Sequence, residues 1–233
     1  MKKGELRRDT ILNTAEQLFF KKGFDETSIQ DILDALEISK GGFYHYFDSK
    51  NALLEAICRK RSAADIERMR TEMLLGKLTP VQKLNRLLTS INIFNHSDAR
   101  YTAMVLKTGY IDGDTHFRDQ MRRFMIEELT PMLDAVLREG MADESFFIRN
   151  PGKTGKLILM LAYDINDETC RALAEGRDNP ETVIEIIDLL DAYREGIETL
   201  LGAKFGSVLL YDVEHLLDAF RQTAVELQLV TEA

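Results

Sequence analysis

Apolar residues recur along most of this chain at the three- and four-residue spacing of a helix rather than in the alternation of a strand. Ile11, Leu12, Ala15, Leu18 and Phe19 stripe a first helix, and Gly23 stands where a helix-ending glycine belongs. Thr27 and Gln30 fit a capping box, threonine as N-cap, ahead of a second stripe of Ile29, Ile32, Leu33 and Leu36. Ser39 caps a third helix predicted over 40–46, after a turn at Glu37 and Ile38. Asp48 or Ser49 caps a fourth, from Lys50 toward Leu75.

Pro80 suits the first turn of a fifth helix, whose buried face is Val81, Leu84, Leu87, Leu88 and Ile91. A shorter helix is predicted over 98–108. Residues 109–114, with two glycines, read as a loop. A long helix follows over 115–139, and Pro131 inside it should kink or divide it. Asn150-Pro151-Gly152 marks a boundary before a helix running to about Glu175. Asn179-Pro180 opens another that ends near Gly202, and a last helix is predicted over 212–229. The apolar runs 146–148 and 207–211 could be extended, but two isolated runs cannot build a sheet. The predicted fold class is all-α: a three-helix unit over 1–50, then a helical bundle over 51–233, with the fourth helix connecting them.

Charge sharpens that division. The chain carries 30 Lys and Arg against 39 Asp and Glu, a net charge of −9 that would by itself disfavour a polyanionic partner. Residues 1–61, however, hold 11 basic against 10 acidic residues, so the acidity lies almost wholly in the body. No apolar run approaches the ~20 residues of a membrane span, and no apolar stretch follows the basic start as in a signal peptide. These features point to a cytoplasmic protein without a membrane partner. Cys58 and Cys170 belong to no motif and read as reduced thiols. The histidines lack paired spacing, and phosphate-loop, dinucleotide and nucleophile-elbow patterns are missing, so no metal, cofactor or enzymatic activity is expected.

The third predicted helix carries the functional signal. With Phe43 at the centre of its buried face, a step of about 100° per residue brings Phe47 inward and turns Gly41, Gly42 and His45 outward. Lys40 and Tyr44 flank one edge and Tyr46 the other. Two exposed glycines cost about 1 kcal/mol each in helix propensity, but they let another backbone approach closely. The lysine, tyrosines and histidine around them can donate hydrogen bonds to phosphates or base edges. The competing reading is a poor helix start with the tyrosines in the core.

The segment TSIQDILDALEISKGGFYHYFDSKNALLEAI, residues 27–57, resembles the DNA-binding signature of the TetR family of bacterial regulators. The first helix and Gly23-Phe24 extend the likeness to about residues 7–57, roughly a quarter of the chain. The resemblance implies an N-terminal helix-turn-helix and a variable helical bundle that forms a homodimer through its last long helices and binds a small-molecule effector. It implies that Thr27, Tyr44, His45, Tyr46 and Lys50 contact the backbone of operator duplex DNA, with Gln30, Lys40 and Gly41 within reach of bases. Ser28, Ser39 and Gly42 complete the expected DNA-binding set. For Lys50 there is an independent reason, since a helix N-terminus favours a phosphate.

For the effector, Met104, Met121, Phe124 and Met125 offer adaptable apolar contacts, and Asn92, His96, Tyr110, Glu128 and Tyr163 offer polar ones. Met and Phe at this spacing serve equally as plain core. The function these readings support is a transcriptional regulator, a repressor released by its effector. The alternative is a DNA-binding adaptor whose body binds a protein partner.

Overall fold

The N-terminal helices form because their ends are capped and their apolar stripes close on one another. In the computed structural model, which describes residues 3–95, 98–175, 180–211 and 213–227, α1 spans Lys3–Lys22. It stops at Gly23, whose φ of +92° suits glycine and whose N–H bonds the Phe19 carbonyl at 2.9 Å. The cap of α2 (Ile29–Leu36) falls one residue later than the sequence pattern suggested. Ser28, not Thr27, is the N-cap, and its reciprocal partner is Asp31, not Gln30: the Asp31 N–H donates to the Ser28 hydroxyl and the Ser28 N–H to the Asp31 carboxylate. Thr27 is drawn inward, fully buried, its hydroxyl donating to the Gly23 carbonyl at 2.7 Å.

The chain then turns through Glu37 in the left-handed region, with φ 51°. It enters α3 (Lys40–Tyr44), which Ser39 caps and which is shorter than predicted. Ser49 caps α4 (Lys50–Leu75). Phe43, Phe47, Ile11, Leu12, Ile32 and the α4 residues Leu53, Leu54 and Ile57 form one buried cluster, the core of the head.

The second half of α4 belongs to a different cluster. Ile66, Met69 and Met73 pack with α5 (Pro80–Thr89), α7 (Thr115–Ala142), α8 (Pro151–Ala174) and α9 (Pro180–Leu201), while α6 (Ala99–Leu106) and α10 (Val213–Glu226) pack together beside them. A helix of 26 residues, about 39 Å long at ~1.5 Å per residue, is thereby anchored at its two ends in two cores. The junction also carries polar contacts. Arg61 pairs with Asp98 at 3.0 Å and lies over the Tyr101 ring, Asn51 donates to Asp114 at 2.9 Å, and Arg59 donates to the Gln120 side chain at 3.0 Å. Tyr101 and Phe117 reach from the body into the head cluster.

One expectation for the body is corrected and two are narrowed. Residues 109–114 are not simply a loop: Lys107–Ile111 form a π-helical turn continuous with α6. Pro131 does not divide α7, which runs unbroken through it with the ring exposed on the outer face. Residues 207–211 build no sheet, as expected; Asn85 clasps the segment, donating to the Ser207 carbonyl and accepting from the Leu209 N–H, both at 2.9 Å. Val208 and Leu210 are thereby buried, and the charge of the buried Glu198 is met by Arg194 at 3.1 Å and the Val208 N–H at 2.9 Å. His96, Asn179 and residues 212, 228 and 229 of the predicted last helix lie outside the described residues.

Candidate functional site

Two places in the molecule combine exposed or enclosed space with polar chemistry. The first is the outer face of α3. The short helix is held from behind by Phe43, fully buried, and by the Ser39 hydroxyl, which accepts the Gly42 N–H at 3.2 Å. Gly41 is exposed, and a β-carbon built there would meet nothing within 4 Å. Lys40 and His45 are exposed beside it, as is Tyr44, at 42%. Lys40 leans over the Tyr44 ring at 5.9 Å, and His45 packs edge-on against the half-buried Tyr46. Gln30 and Ser28 are exposed at the start of α2, Gln30 donating to Asp34 at 2.7 Å.

Thr27 lies apart from this surface, since its side chain is spent inside the head. Lys50 does double duty. Its ammonium donates to the carbonyls of Phe24 at 2.8 Å and Asp25 at 3.3 Å and sits over the Phe24 ring, strapping the α1–α2 turn to the start of α4. Burial lowers its pKa. Arg8 was missed by the sequence reading. It stacks its guanidinium on the Phe47 ring at 5.0 Å, and the paired arginines 7 and 8 near the start of α1 were the available signal.

The second place is a cavity of about 790 Å³ in the body. Of the residues proposed to meet an effector, Tyr110, Met121, Met125 and Tyr163 line it. The others do not. Asn92 faces a separate narrow crevice and caps the following turn, its side-chain oxygen accepting the Phe94 N–H at 2.9 Å. Met104 packs against the head cluster, Phe124 lies beneath Arg59, and Glu128 reaches toward Arg70 at 3.8 Å.

What the sequence reading missed are the arginines of the wall, Arg118, Arg122, Arg123 and Arg171, together with Asn166 and Asp167. The spacing of Arg118 and Arg122 alongside Met121 and Met125 on one predicted helix was a usable sign. Tyr110 is delivered by the π turn and donates to Asp167 at 2.8 Å. Burial holds its phenol far above the ordinary range, so it remains a donor. Tyr163 is also raised by burial, and its hydroxyl has no hydrogen-bond partner.

The π turn touches both the cavity and the head. Its Lys107, three residues before Tyr110, pairs with Asp25 of the head at 3.2 Å and with Asp112 at 2.9 Å. Both cysteines are free and buried, and burial pushes the Cys58 thiol up to about 12. Among the described residues no cluster of His, Cys, Asp and Glu could hold a metal ion, and no helix is long and apolar enough to cross a membrane.

Residues 11–57 match the family described as bacterial regulatory proteins, tetR family. The transcriptional repressor KstR2 of Mycolicibacterium smegmatis is 31% identical over 146 residues, covering 60% of this chain and 67% of that protein. Other curated relatives match over shorter stretches, the chain spanning between 25% and 43% of their length. A TetR-family transcriptional regulator from Pectobacterium atrosepticum superposes with a TM-score of 0.57 at 18% identity, over 85% of this chain and 95% of that one. The regulator FadR from Bacillus subtilis, solved in complex with stearoyl-CoA, superposes with a TM-score of 0.53 at 18% identity, over 83% and 97%. Those structural likenesses establish the fold, and the likeness in sequence to KstR2, over 146 residues, is far longer than the head. The chain belongs to the tetR family of bacterial regulatory proteins.

Proposed function

We propose that the chain is a sequence-specific, DNA-binding transcriptional regulator, a repressor that leaves its operator when a small molecule occupies the cavity of the body. The observation that carries the DNA half is the bare outer face of α3, where Gly41 leaves room for a duplex and Lys40, Tyr44 and His45 stand at its edges. Ser28, Gln30, Ser39, Gly42, Tyr46 and Lys50 complete the proposed contact surface, with Thr27 acting from within by holding the α1–α2 turn. The head, residues 1–50, works as the DNA-binding unit, and α4 connects it to the body.

A cavity of about 790 Å³ sits within the usual range of ~300–1,000 Å³ for small-molecule sites. It favours a metabolite over a protein as the body's partner. In the FadR complex the bound molecule is stearoyl-CoA, a precedent for small-molecule binding on this fold. We further propose a two-fold homodimer through α8 and α9, where Leu157, Met160 and Leu200 are exposed, 47%, 54% and 36% respectively. The two copies of α3 would then enter successive major grooves ~34–36 Å apart. The setting is the cytoplasm, and the role is regulation by binding rather than catalysis.

The test is selection of fragments from the source genome with purified protein, followed by affinity measurement on the recovered site. The expected result is a short inverted repeat bound far more tightly than random duplex. Uniform recovery of all sequences would overturn the assignment.

A further inference from the structure

The cavity wall carries three carboxylates, and each is already engaged. Asp119 pairs with Arg122 at 2.9 Å, Asp167 accepts from the Tyr110 hydroxyl and pairs with Arg171 at 2.5 Å, and Asp164 accepts from the Tyr193 hydroxyl. Arg118 stands differently. Its approach to Asp167 is stretched to 3.9 Å, and what fixes it is stacking, its guanidinium carbon 4.9 Å from the centre of the Tyr110 ring.

The stem of Arg118 packs closely over Gly109, where a β-carbon would press on its Cγ at 3.0 Å. A half-buried guanidinium held in place by an aromatic ring, with its nearest acid committed elsewhere, is prepared to receive an anion. Independently, the Tyr163 hydroxyl is buried in the wall with no partner, an arrangement that costs stability unless something in the cavity completes it. The rest of the lining is largely apolar, with Ile91, Val105, Met121, Met125 and Ile126 along it.

We propose that the cavity takes an organic acid: its anionic group pairs with Arg118, Tyr163 hydrogen-bonds a ligand oxygen, and an apolar body lies against the methionines and branched aliphatics. This rests on the reading of the cavity as the effector site. A carboxylate and a phosphate monoester share the required chemistry, so the test includes both.

Calorimetric titration of the full-length protein with dodecanoate, dodecyl phosphate, dodecanol and dodecylamine, each kept below its micellar concentration, decides the matter. At least one acid should bind about tenfold or more tightly than dodecanol, as a charge-assisted pair requires, and the amine should not bind. Whichever acid binds more tightly names the anion. Arg118→Gln should abolish the preference for acid while leaving dodecanol affinity unchanged, and Arg118→Lys should keep most of it. Tyr163→Phe should weaken acid and alcohol alike by about five- to tenfold, the usual worth of one hydrogen bond.

The proposal is overturned if dodecanol or dodecylamine binds as tightly as the acids, if none of the four binds, or if the preference survives in Arg118→Gln. Should that variant not fold, the wild-type series and Arg118→Lys decide alone. DNA affinity measured on the same samples separates the two readings. Acid binding that leaves operator affinity untouched refutes effector control while upholding the ligand class.

Discussion

The head and the body of this molecule solve opposite packing problems with the same kind of helix. In the head, Phe43, Ile11, Ile32, Leu53 and Leu54 are fully buried around one another, and α2, α3 and α4 each begin on a serine cap. The body has an equally dry centre around Leu84, Leu87 and Leu137, yet beside it lie a large cavity, an unpartnered tyrosine hydroxyl and a turn of π-helix. A surface that must fit one fixed partner, duplex DNA, gains from rigidity. A site that must respond to a small molecule needs space and polar groups left unsatisfied. The contrast teaches that departures from ideal packing are gathered in the half proposed to sense, and are nearly absent from the half proposed to bind DNA.

Four substitutions test that contrast. Phe43→Ala empties the centre of the head and should destabilise it by ~3–5 kcal/mol. The expected outcome is loss of DNA binding in a protein whose body still melts cooperatively, read by circular dichroism and gel shift. A single unfolding transition lowered as a whole would show that the two cores are not separable.

Gly140→Ala probes the dense part of the body, because a β-carbon there would run into the buried Phe146 ring. Overpacking of this kind costs ~1–3 kcal/mol, and the body's melting temperature should fall while the affinity of the head for DNA persists. Ser28→Ala removes the cap of α2, a loss of about 1 kcal/mol, visible as a lower denaturant midpoint. The partner of that cap adds a pH signature. Hydrogen bonds from Lys22 and Ser28 hold the Asp31 carboxyl well below its ordinary value of 3.8. A carboxyl depressed by folding stabilises fully above its unfolded pKa and loses that contribution as pH falls. The difference between wild type and Ser28→Ala should therefore be constant at neutral pH and shrink only in acid below about 4, followed by denaturation across pH.

Gly41→Ala should change stability least, with a gain of up to ~1 kcal/mol from helix propensity, since nothing obstructs the new methyl group. DNA affinity should nonetheless drop. A variant that is more stable and binds DNA as well as before would break the assignment of this face.

Legibility in the sequence follows the same division. The head could be read because its signals are local: a glycine at a helix end, serines at helix starts, and phenylalanines at 43 and 47 on one side of a short helix. Even there the α2 cap was displaced by one position. The stretch Thr27-Ser28-Ile29-Gln30-Asp31 offers two overlapping boxes, and what selects Ser28 is a tertiary fact, the carbonyls of Leu18 and Gly23 waiting for the Thr27 hydroxyl.

In the body the decisive features are non-local. Which of the methionines and tyrosines meet the cavity depends on how α6, α7 and α8 are rotated against one another, so Met121 and Met125 were found while Met104 and Phe124 belonged elsewhere. The arginines of the wall were overlooked because an isolated charged residue on a helix is ordinarily solvent-facing. Of the two outcomes Pro131 allows, a kink or a division, the structure excludes division: α7 runs unbroken through an exposed proline.

The turn at Lys107–Ile111 carries an implication for how the halves communicate. A wide turn holds a surplus residue relative to the same axial length of ordinary helix. If the segment were to tighten, that surplus would have to leave by one end, and the residues on that side would swing by about 100° around the axis. Tyr110 with its bond to Asp167, and Lys107 with its bridge to Asp25, could not both keep their partners through such a slip. In this structure the wide turn keeps both grips at once, Tyr110 on the cavity wall and Lys107 on the head.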